Sequence, residues 1–565
     1  MSVPISRVYA DFKGVDFSNK NVSLNRSPDA LNMWKNHKQS LGKCVETRPD
    51  IELLETFGNT VYGLFFYDVG NVRHKIVHCG TELLDIVGNT KKTIYTGMNP
   101  RKSNFFIYSQ ILYVLDGIHY LEYDGETCQE VVGYIPTTSI SRRPEGGGTM
   151  YEDVNLLTGI RKNSFSADGK STEYTLDSQN IDADFNLVVL VGNEVKTLNT
   201  DYTVDKTRGV VTFTTAPEKP LTDGADNVTI TFRKTIEGYR DRIEKCTLVT
   251  VFDNRVFYSG NKDYPNALFH CSLNNPRYIS DTDYYNEGLD LSPVKSMVAG
   301  NNALWVFKEP SQANTTVFYH NPVIDSEIGK AYPSTHSSIT TGCIGTGINF
   351  NDDIVFFSER GMEGISGDIT TEQVLAHRST LVDNKLLTEA GYKDMILEEY
   401  EGYLLVIIGN KVYLADSRQK VQIEEHLEYE WYYWELSKKV TCTIVKDGIL
   451  YLGTEDGIYT LTKTATEIES YWTTCEDAFD YPNYQKTTNK KGFVIDVIGS
   501  AIKLQAKTDN DIFTTVDTYL NTKGYIVAKL KKKKWRTIQL KITSTTPFGL
   551  YLVTLESYVG GYTKN

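Results

Sequence analysis

Histidines are the first residues of this chain to consider for catalysis or metal binding. His74 and His78 would point to the same face of a strand, because alternate side chains of a strand share a face. A protein zinc site takes three or four ligands, and no third ligand lies near these two in the sequence. Nucleophile elbows, HExxH, P-loops and GxGxxG after a strand are all missing. The histidines are therefore predicted to be core or surface residues.

Carboxylates near turns are the second set of residues that could do chemistry. They include Asp352, Asp353, Glu359, Asp416, Glu455 and Asp456. A glycoside hydrolase needs two carboxyl groups that face each other across a cleft, and nothing in the sequence singles out such a pair. The sialidase Asp-box, SxDxGxTW, is also missing. The sequence predicts no catalytic residue, no cofactor or cofactor-binding residue and no metal ligand, so we expect a protein that is not an enzyme.

One strong run of positive charge lies near the C-terminal end of the sequence. Lys529, Lys531 to Lys534 and Arg536 surround Trp535, and the alternating stretch TIQLKI follows. Nucleic-acid binding usually combines such a run with interleaved aromatic side chains, which this run lacks. A solvated hairpin turn or a contact between subunits is the favoured interpretation.

The overall charge is acidic. Lys and Arg number 59 against 72 Asp and Glu, a formal net charge of −13. A surface of that sign repels phosphate, so wrapping of DNA on the outer face is disfavoured. Neutral or acidic walls would suit a conduit through which DNA slides without sticking.

Neither a secretory signal nor a membrane helix is predicted. The first residues lack a basic stretch followed by a long apolar one, and the longest apolar runs are far shorter than the roughly 20 residues of a membrane span. The eight cysteines are scattered singly, which predicts reduced, buried thiols. We therefore expect a soluble protein made in a cytoplasm, without membrane insertion.

The composition indicates strands. Tyr (37) and Phe (23) are abundant, and Thr and Val fill the segments between them. Six Asp-Gly pairs separate short apolar runs, which is typical of hairpin turns.

Similar apolar strand starts recur along the chain at a regular spacing. From Val256 onward they are 48, 50, 50 and 46 residues apart, close to the roughly 40 to 50 residues of a four-stranded propeller blade. The starts are Ile76, Leu112, Val256, Leu304, Ile354, Leu404 and Leu450. The sequence therefore predicts an all-β chain with a β-propeller of about seven blades, and six or eight blades are the alternatives.

The long interval between Leu112 and Val256 indicates an insertion. Three glycines, Gly146 to Gly148, mark its start, and alternating strands follow. A small inserted β-sandwich is predicted there, with two further sub-blade segments as the alternative. The predicted domains are an extended N-terminal arm (1–55), the propeller (56–149 and 237–464), the inserted sandwich (150–236) and a β-rich C-terminal domain (465–565).

Two local features complete the prediction. A short helical turn is possible from Pro28 to Trp34, after the capping residue Ser27. The acidic stretch that leads into WYYWEL suggests a blade edge, with Trp431 to Trp434 packed between blades.

Several stretches resemble one family. FKGVDFS, RSPDALNMW and TRPDIELL near the start, then NALWVFKE, STHSSITTGCIG and DDIVFFSERGMEGISG, and finally KKKWRTIQLKITSTTPFGLYLVTLES occur in this order. Together they resemble the tail nozzle, tail hub or "stabilisation" proteins of tailed bacteriophages. Members of that family pass from an extended arm through a propeller to a β-rich C-terminal portion. The inserted sandwich departs from the short-tailed enterobacterial member.

The resemblance implies a structural protein of the virion tail, made in the host bacterial cytoplasm. It implies a homo-hexameric ring below the portal, in contact with the head-to-tail adaptor and other tail proteins. Genomic DNA would pass through the lumen without sequence-specific binding and would be retained until ejection. A receptor- or carbohydrate-binding tail propeller is the alternative, and a cell-wall glycosidase is a further competitor.

Overall fold

The computed structural model describes most of the chain, and it is almost entirely β. Three helical turns are present among the described residues: Asp241–Glu244, Asp383–Leu386 and the 3₁₀ turn Tyr392–Asp394. None of these helices is long and apolar enough to cross a membrane. The described residues are 4–18, 21–38, 43–313, 315–325, 329–366, 373–423, 426–462, 467–509, 511–520, 522–530 and 534–562.

Seven four-stranded antiparallel units form the blades of a propeller within the described residues. Blade 1 comprises Val61–Val69, Val72–Cys79, Glu82–Val87 and Thr90–Thr96; blade 2 comprises Asn104–Tyr108, Ile111–Leu115, Tyr120–Tyr123 and Cys128–Glu130. Blade 3 comprises Leu248–Phe252, Arg255–Ser259, Ala267–His270 and Tyr284–Asn286; blade 4 comprises Val294–Gly300, Ala303–Lys308, Val317–His320 and Ser334–His336. Blade 5 comprises Gly347–Phe350, Asp353–Ser358, Gly361–Ser366 and Val374–His377; blade 6 comprises Ile396–Tyr400, Tyr403–Ile408, Lys411–Ile423 and His426–Glu435. Blade 7 comprises Val440–Lys446, Ile449–Thr454, Gly457–Leu461 and Ile51–Thr56, and a hairpin, Val323–Asp325 with Gly329–Ala331, extends from blade 4.

The blades close into a ring. The first strand of each blade contacts the first strand of the next, and Val440–Lys446 of blade 7 contacts Val61–Val69 of blade 1. Apolar side chains from neighbouring blades share cores, as where Cys442 and Ile458 of blade 7 pack with Val77 and Leu84 of blade 1. The predicted all-β propeller is therefore confirmed, with seven blades.

The outermost strand of blade 7 comes from the N-terminal part of the chain. Ile51–Thr56, here called the closing strand, pairs antiparallel with Gly457–Leu461. The structure therefore moves the predicted boundary of the arm, because residues 51–55 belong to the propeller. A closing strand from one end of the chain joins the last blade to the first by ordinary ladder hydrogen bonds.

The inserted sandwich lies between blades 2 and 3. Its two sheets enclose an apolar core that includes Phe165, Tyr174, Phe213 and Phe232. The sandwich begins at Thr137–Arg142, earlier than predicted, because this strand pairs with Ile160–Phe165 and not with a blade. One sheet has the order Thr149–Met150, Thr137–Arg142, Ile160–Phe165, Val228–Arg233, Val188–Val191 and Glu194–Lys196, and the other has Glu173–Thr175, Val210–Phe213 and Tyr202–Asp205.

The C-terminal domain is a second sandwich, and the N-terminal segment takes part in both of its sheets. The outer sheet contains Thr522–Ala528, Tyr484–Gly499, Phe548–Tyr562 and Pro4–Tyr9 in that spatial order. The inner sheet contains Ala30–Leu31, Ser470–Thr473, Ile538–Ser544, Ile502–Thr508 and Thr514–Tyr519. The N-terminal segment thus lies on its own propeller and sandwich.

The helical turn predicted from Pro28 to Trp34 is not formed. The structure has the short strands Ala30–Leu31 and Met33–Trp34 instead, with Asn32 between them at a φ of 56°. Asn tolerates this left-handed conformation better than most residues. Pairing on both sides decides the outcome, because Ala30–Leu31 joins the sandwich while Met33 pairs with Tyr433 of blade 6. Tertiary pairing therefore overrides the local helix signal.

Candidate functional site

The two candidate histidines make separate contacts and do not form a metal centre. His74 and His78 both lie on Val72–Cys79 and are buried. Nδ1 of His74 is 2.7 Å from Oδ2 of Asp85, whereas Nδ1 of His78 is 2.7 Å from Oγ of Ser103. Burial lowers the pKa of His78. No group of three or more His, Cys, Asp or Glu side chains in the described part of the chain is placed to hold a metal ion.

Carboxylates at the blade turns are held by nearby cations. Asp353 accepts from Arg378 Nε at 2.9 Å, and Asp456 accepts from Lys438 Nζ at 2.6 Å. Asp416 is fully buried and lies 2.9 Å from His37 Nε2. These three carboxylates therefore stabilise contacts within and between structural elements.

The innermost strands of four blades surround a small cavity. Blades 1, 2, 6 and 7 line it, and its volume is about 200 Å³. Lys102 and Glu398 bring opposite charges to its wall, and Thr443 Oγ1 donates to Glu398 Oε2 at 2.9 Å. Burial lowers the pKa of Lys102 and raises that of Glu398. Lys102 keeps contact with solvent although protein atoms surround it closely.

Neither charged residue was a sequence candidate. Glu398 occurs in the stretch LEEYEG and Lys102 follows Arg101, and both positions look like ordinary surface charges. Only the meeting of blades 1, 2, 6 and 7 at the axis brings them close. At roughly 30 Å³ per water molecule, the cavity holds about seven waters. A cavity of this size is too small to admit a DNA duplex, whose major groove alone is about 12 Å wide.

A second buried cluster that the sequence did not reveal lies between blades 3 and 4. His320 Nε2 is 2.8 Å from Glu287 Oε1, and both side chains are fully buried. Ser334 donates to the other carboxylate oxygen of Glu287 at 2.6 Å. Lys308, also fully buried, donates to the backbone carbonyl of Glu287 at 2.6 Å and to Asp290 at 2.5 Å. Each polar group has a partner, so the cluster fixes the two blades relative to each other.

Strand pairing continues across the junction between the propeller and the C-terminal sandwich. Met33–Trp34 pairs with blade 6 on one side and with Val45–Thr47 on the other, and Val45–Thr47 pairs with Phe548–Tyr562 of the sandwich. A ten-stranded sheet therefore runs without interruption from Ile396–Tyr400 of blade 6 to the edge of the C-terminal domain. We call the segment from Asn32 to Arg48 the junction segment.

Aromatic rings fill the junction. Trp34 is buried, with its ring centroid 5.3 Å from that of Trp434 and 5.6 Å from that of Tyr403. The aromatic stretch that ends blade 6 was predicted to pack between blades. Its Trp431 does lie beside blade 5, because Nε1 donates to the carbonyl of Arg378 at 3.0 Å, directly after the last strand of that blade. The stretch also packs against the N-terminal segment, since Val15 N–H donates to the carbonyl of Trp431 at 2.7 Å.

A buried guanidinium fixes the turn of the junction segment. Arg48 donates to the side chain of Asn32 at 2.9 Å, to the carbonyl of Pro49 at 2.8 Å and to the carbonyl of Glu435 at 2.7 Å. Burial lowers the pKa of Arg48, and Asp50 opposes that effect. Arg48 thus ties the junction segment to the last strand of blade 6.

A large cavity lies beside this junction. Its volume is about 810 Å³, and both the propeller and the C-terminal sandwich line it. Lys38 pairs with Glu401 at 2.7 Å across its wall, and Arg48 pairs with Asp50 at 3.4 Å. Burial raises the pKa of Glu46, which also lines the cavity. The Lys38–Glu401 pair joins the junction segment to blade 6, whereas the Arg48–Asp50 pair lies within the N-terminal segment.

The basic run lies at the edge of the C-terminal sandwich. Lys529, Lys534 and Arg536 are exposed, while Lys531 to Lys533 fall outside the described residues. Trp535 is buried and donates through Nε1 to Thr488 Oγ1 at 2.9 Å. The tryptophan therefore anchors the described end of the run, where Lys534 and Arg536 face solvent.

Comparisons with known proteins give a general likeness and no family. No family model and no curated protein matches the chain. Among solved structures, BamB from Moraxella catarrhalis is 10% identical and covers 73% of this chain and 96% of its own, with a TM-score of 0.31. Hsv2 from Kluyveromyces lactis is 9% identical and covers 66% of this chain and 97% of its own, with a TM-score of 0.25. An exo-beta-1,3-galactanase from Phanerochaete chrysosporium is 9% identical and covers 55% of this chain and 94% of its own, with a TM-score of 0.21. The sheet topology of the chain itself defines it as a seven-bladed β-propeller protein.

Proposed function

We propose that this chain is a bacteriophage virion structural protein, a tail nozzle or hub placed below the portal and adaptor. It forms part of the DNA conduit and helps to retain the packaged genome until ejection. The observation that carries the proposal is the ten-stranded sheet that unites blade 6, the junction segment and the C-terminal sandwich. Such a sheet joins two bodies without a flexible linker, which suits a part that transmits force along a tail.

The propeller axis supports the same proposal by its size. The cavity of about 200 Å³ between blades 1, 2, 6 and 7 is too small for a duplex. A conduit for DNA would therefore lie between subunits, around the shared axis of a homo-hexameric ring. The net charge of −13 would limit adhesion of DNA to the walls of that ring.

The sequence resemblance supplies the remaining steps. It provides the location in the virion tail, the synthesis in the host bacterial cytoplasm, and the contacts with the adaptor and other tail proteins. The order of arm, propeller and β-rich C-terminal portion in that family agrees with the order of elements found here. The inserted sandwich is an addition to that order.

The experiment that tests the proposal has two parts. Mass spectrometry of purified particles of the phage that encodes the chain should detect it at a fixed ratio to the portal protein. Mass photometry of the purified chain, followed by electron microscopy, should show closed rings of identical subunits. A chain that is missing from the particles would contradict the proposal. A monomer that binds host glycans would favour the receptor-binding alternative, and release of sugar from cell-wall material would favour an enzyme.

A further inference from the structure

The outer sheet of the C-terminal sandwich exposes apolar side chains on its outward face. Val8 is 53% exposed, Tyr525 67% and Val527 55%. The outward face of an antiparallel sheet that meets water normally carries polar residues. Three large exposed apolar side chains on one such face therefore indicate a surface that meets another protein.

The strand register places these side chains next to one another. Val527 pairs with Val494, Val494 pairs with Thr554, and Thr554 pairs with Val8, so one row crosses all four strands of the sheet. In the neighbouring row, Tyr525 pairs with Asp496, which pairs with Leu552. We call this surface the outer sheet face; it consists of Val8, Val494, Asp496, Tyr525, Val527, Leu552 and Thr554.

The charge of the chain is divided unevenly between this domain and the rest. Residues 465–565 contain 14 of the 59 Lys and Arg and 10 of the 72 Asp and Glu, a net charge of +4. Residues 1–464 contain the other 45 basic and 62 acidic residues, a net charge of −17. Lys529 brings one exposed basic side chain to the border of the outer sheet face, because it directly follows the edge strand Thr522–Ala528 that carries Tyr525 and Val527. An apolar centre with a charged rim is the usual anatomy of a protein interface.

We infer that the outer sheet face docks against the acidic propeller or inserted sandwich of a second copy of this chain. The inference rests on the proposed function, since it names the surface through which the ring would form. The C-terminal domain of one copy, with its net charge of +4, attracts the rest of the next copy, with its net charge of −17. The apolar rows of the face are removed from water when the two copies meet. Because the two surfaces differ, the contact is head-to-tail, and such contacts close into rings when the rotation between copies allows it.

A nucleic acid is a poorer occupant of this surface. Phosphate would interact with the basic rim but would gain nothing from the valines and leucine at the centre. Tyr525 alone offers a ring for base stacking, and Asp496 beside it repels phosphate. The observations therefore favour a protein partner with an acidic surface.

The test compares charged substitutions inside and outside the outer sheet face. Tyr525→Asp and Val527→Asp place carboxylates at its centre, while Ile512→Asp and Leu520→Asp are matched controls on exposed apolar positions of the same domain outside the face (80% and 76% exposed). Mass photometry over a range of protein and salt concentrations measures the assembly. We expect each substitution in the face to raise the dissociation constant between copies at least about tenfold, and the controls to leave it unchanged.

Further variants separate the surface from folding and from charge. Val527→Thr keeps the branched shape of the side chain and serves as a control for Val527→Asp. If both variants melt at the wild-type temperature and Val527→Asp weakens assembly, misfolding does not explain the weaker assembly. Lys529→Glu should weaken assembly at low salt and lose this effect at high salt, because the attraction is screened.

The outcomes distinguish this inference from the proposed function. Rings that form equally well with Tyr525→Asp and Val527→Asp overturn the inference and leave the proposed function standing. A wild-type chain that stays monomeric at every concentration overturns both. Loss of binding to a DNA duplex in these variants, with rings intact, would assign the face to nucleic acid and overturn the inference.

Discussion

Replacement of Trp34 by alanine tests whether the propeller and the C-terminal sandwich behave as one mechanical unit. The Trp34 ring is 97% buried between Trp434 and Tyr403, and the backbone of Trp34 pairs with Glu46 of the junction segment. Removing a buried tryptophan side chain destabilises a protein by about 3 to 5 kcal/mol. Because this side chain lies in the middle of the ten-stranded sheet, the loss should affect elements on both sides of it.

Hydrogen exchange followed by mass spectrometry measures the protection of backbone amides in blade 6 and in the C-terminal sandwich separately. At about 1.4 kcal/mol for each factor of ten, the expected loss speeds exchange through the affected opening by roughly two to almost four orders of magnitude. We expect Trp34→Ala to accelerate exchange both in His426–Glu435 of blade 6 and in Phe548–Tyr562 of the sandwich.

Trp305 provides the matched control. It is equally buried, its ring lies 5.3 Å from that of Tyr319, and it belongs to blade 4, away from the junction. Trp305→Ala should accelerate exchange in Ala303–Lys308 and leave Phe548–Tyr562 protected. If Trp34→Ala changes exchange in blade 6 alone, the sheet does not couple the two bodies and the argument for force transmission fails.

Three further predictions concern backbone space and pH. Gly14→Ala should lower the melting temperature far more than Gly88→Ala. Both glycines have positive φ, but an added Cβ at Gly14 would lie 2.0 Å from a carbonyl oxygen of blade 6, whereas Gly88 has open space around it. Similar losses of melting temperature in the two variants would contradict this account. His377 is partly desolvated, which lowers its pKa, yet hydrogen bonds to two carboxylates raise it from 6.5 to about 10. The stabilisation by His377 should therefore be complete below pH 6.5 and disappear as the pH rises towards 10, and melting curves of His377→Gln should lack that decline. Burial raises the pKa of Asp283 from 3.8 to about 6, so the stability of the wild type should fall as the pH rises from about 4 to about 6. Asp283→Asn should therefore melt at a higher temperature than the wild type at pH 8 but not at pH 4.

The propeller could be predicted from the sequence because each blade repeats one buried strand. All seven apolar starts, from Ile76 to Leu450, fall in the second strand of a blade, and each of these side chains is at most 2% exposed. A second strand is covered by neighbours in its own sheet and by adjacent blades, so it must be continuously apolar. The regular spacing of such strands survives in the sequence even where turns and outer strands vary.

Other parts of the fold could not be predicted, because their partners lie far away in the chain. Met33–Trp34 is two residues long and carries no periodic pattern, and its strand conformation depends on Tyr433 and on Val45–Thr47. The closing strand is separated from Gly457–Leu461 by the whole propeller. Lys102 and Glu398 meet at the axis for the same reason. Long-range pairing leaves no local signal, so sequence patterns assign these segments to an arm or to the surface.

The path of the N-terminal segment links closure of the ring to docking of the sandwich. Pro4–Tyr9 pairs with Phe548–Tyr562, and the same segment then passes through the junction before it supplies the closing strand of blade 7. Opening the seam between blades 7 and 1 would therefore pull on the junction, and detaching the sandwich would pull on the closing strand. Two interfaces held by one continuous segment resist separation together, since neither can open without straining the other. A protein that holds pressurised DNA in a tail would need this coupling, whereas a propeller that only presents binding loops would not.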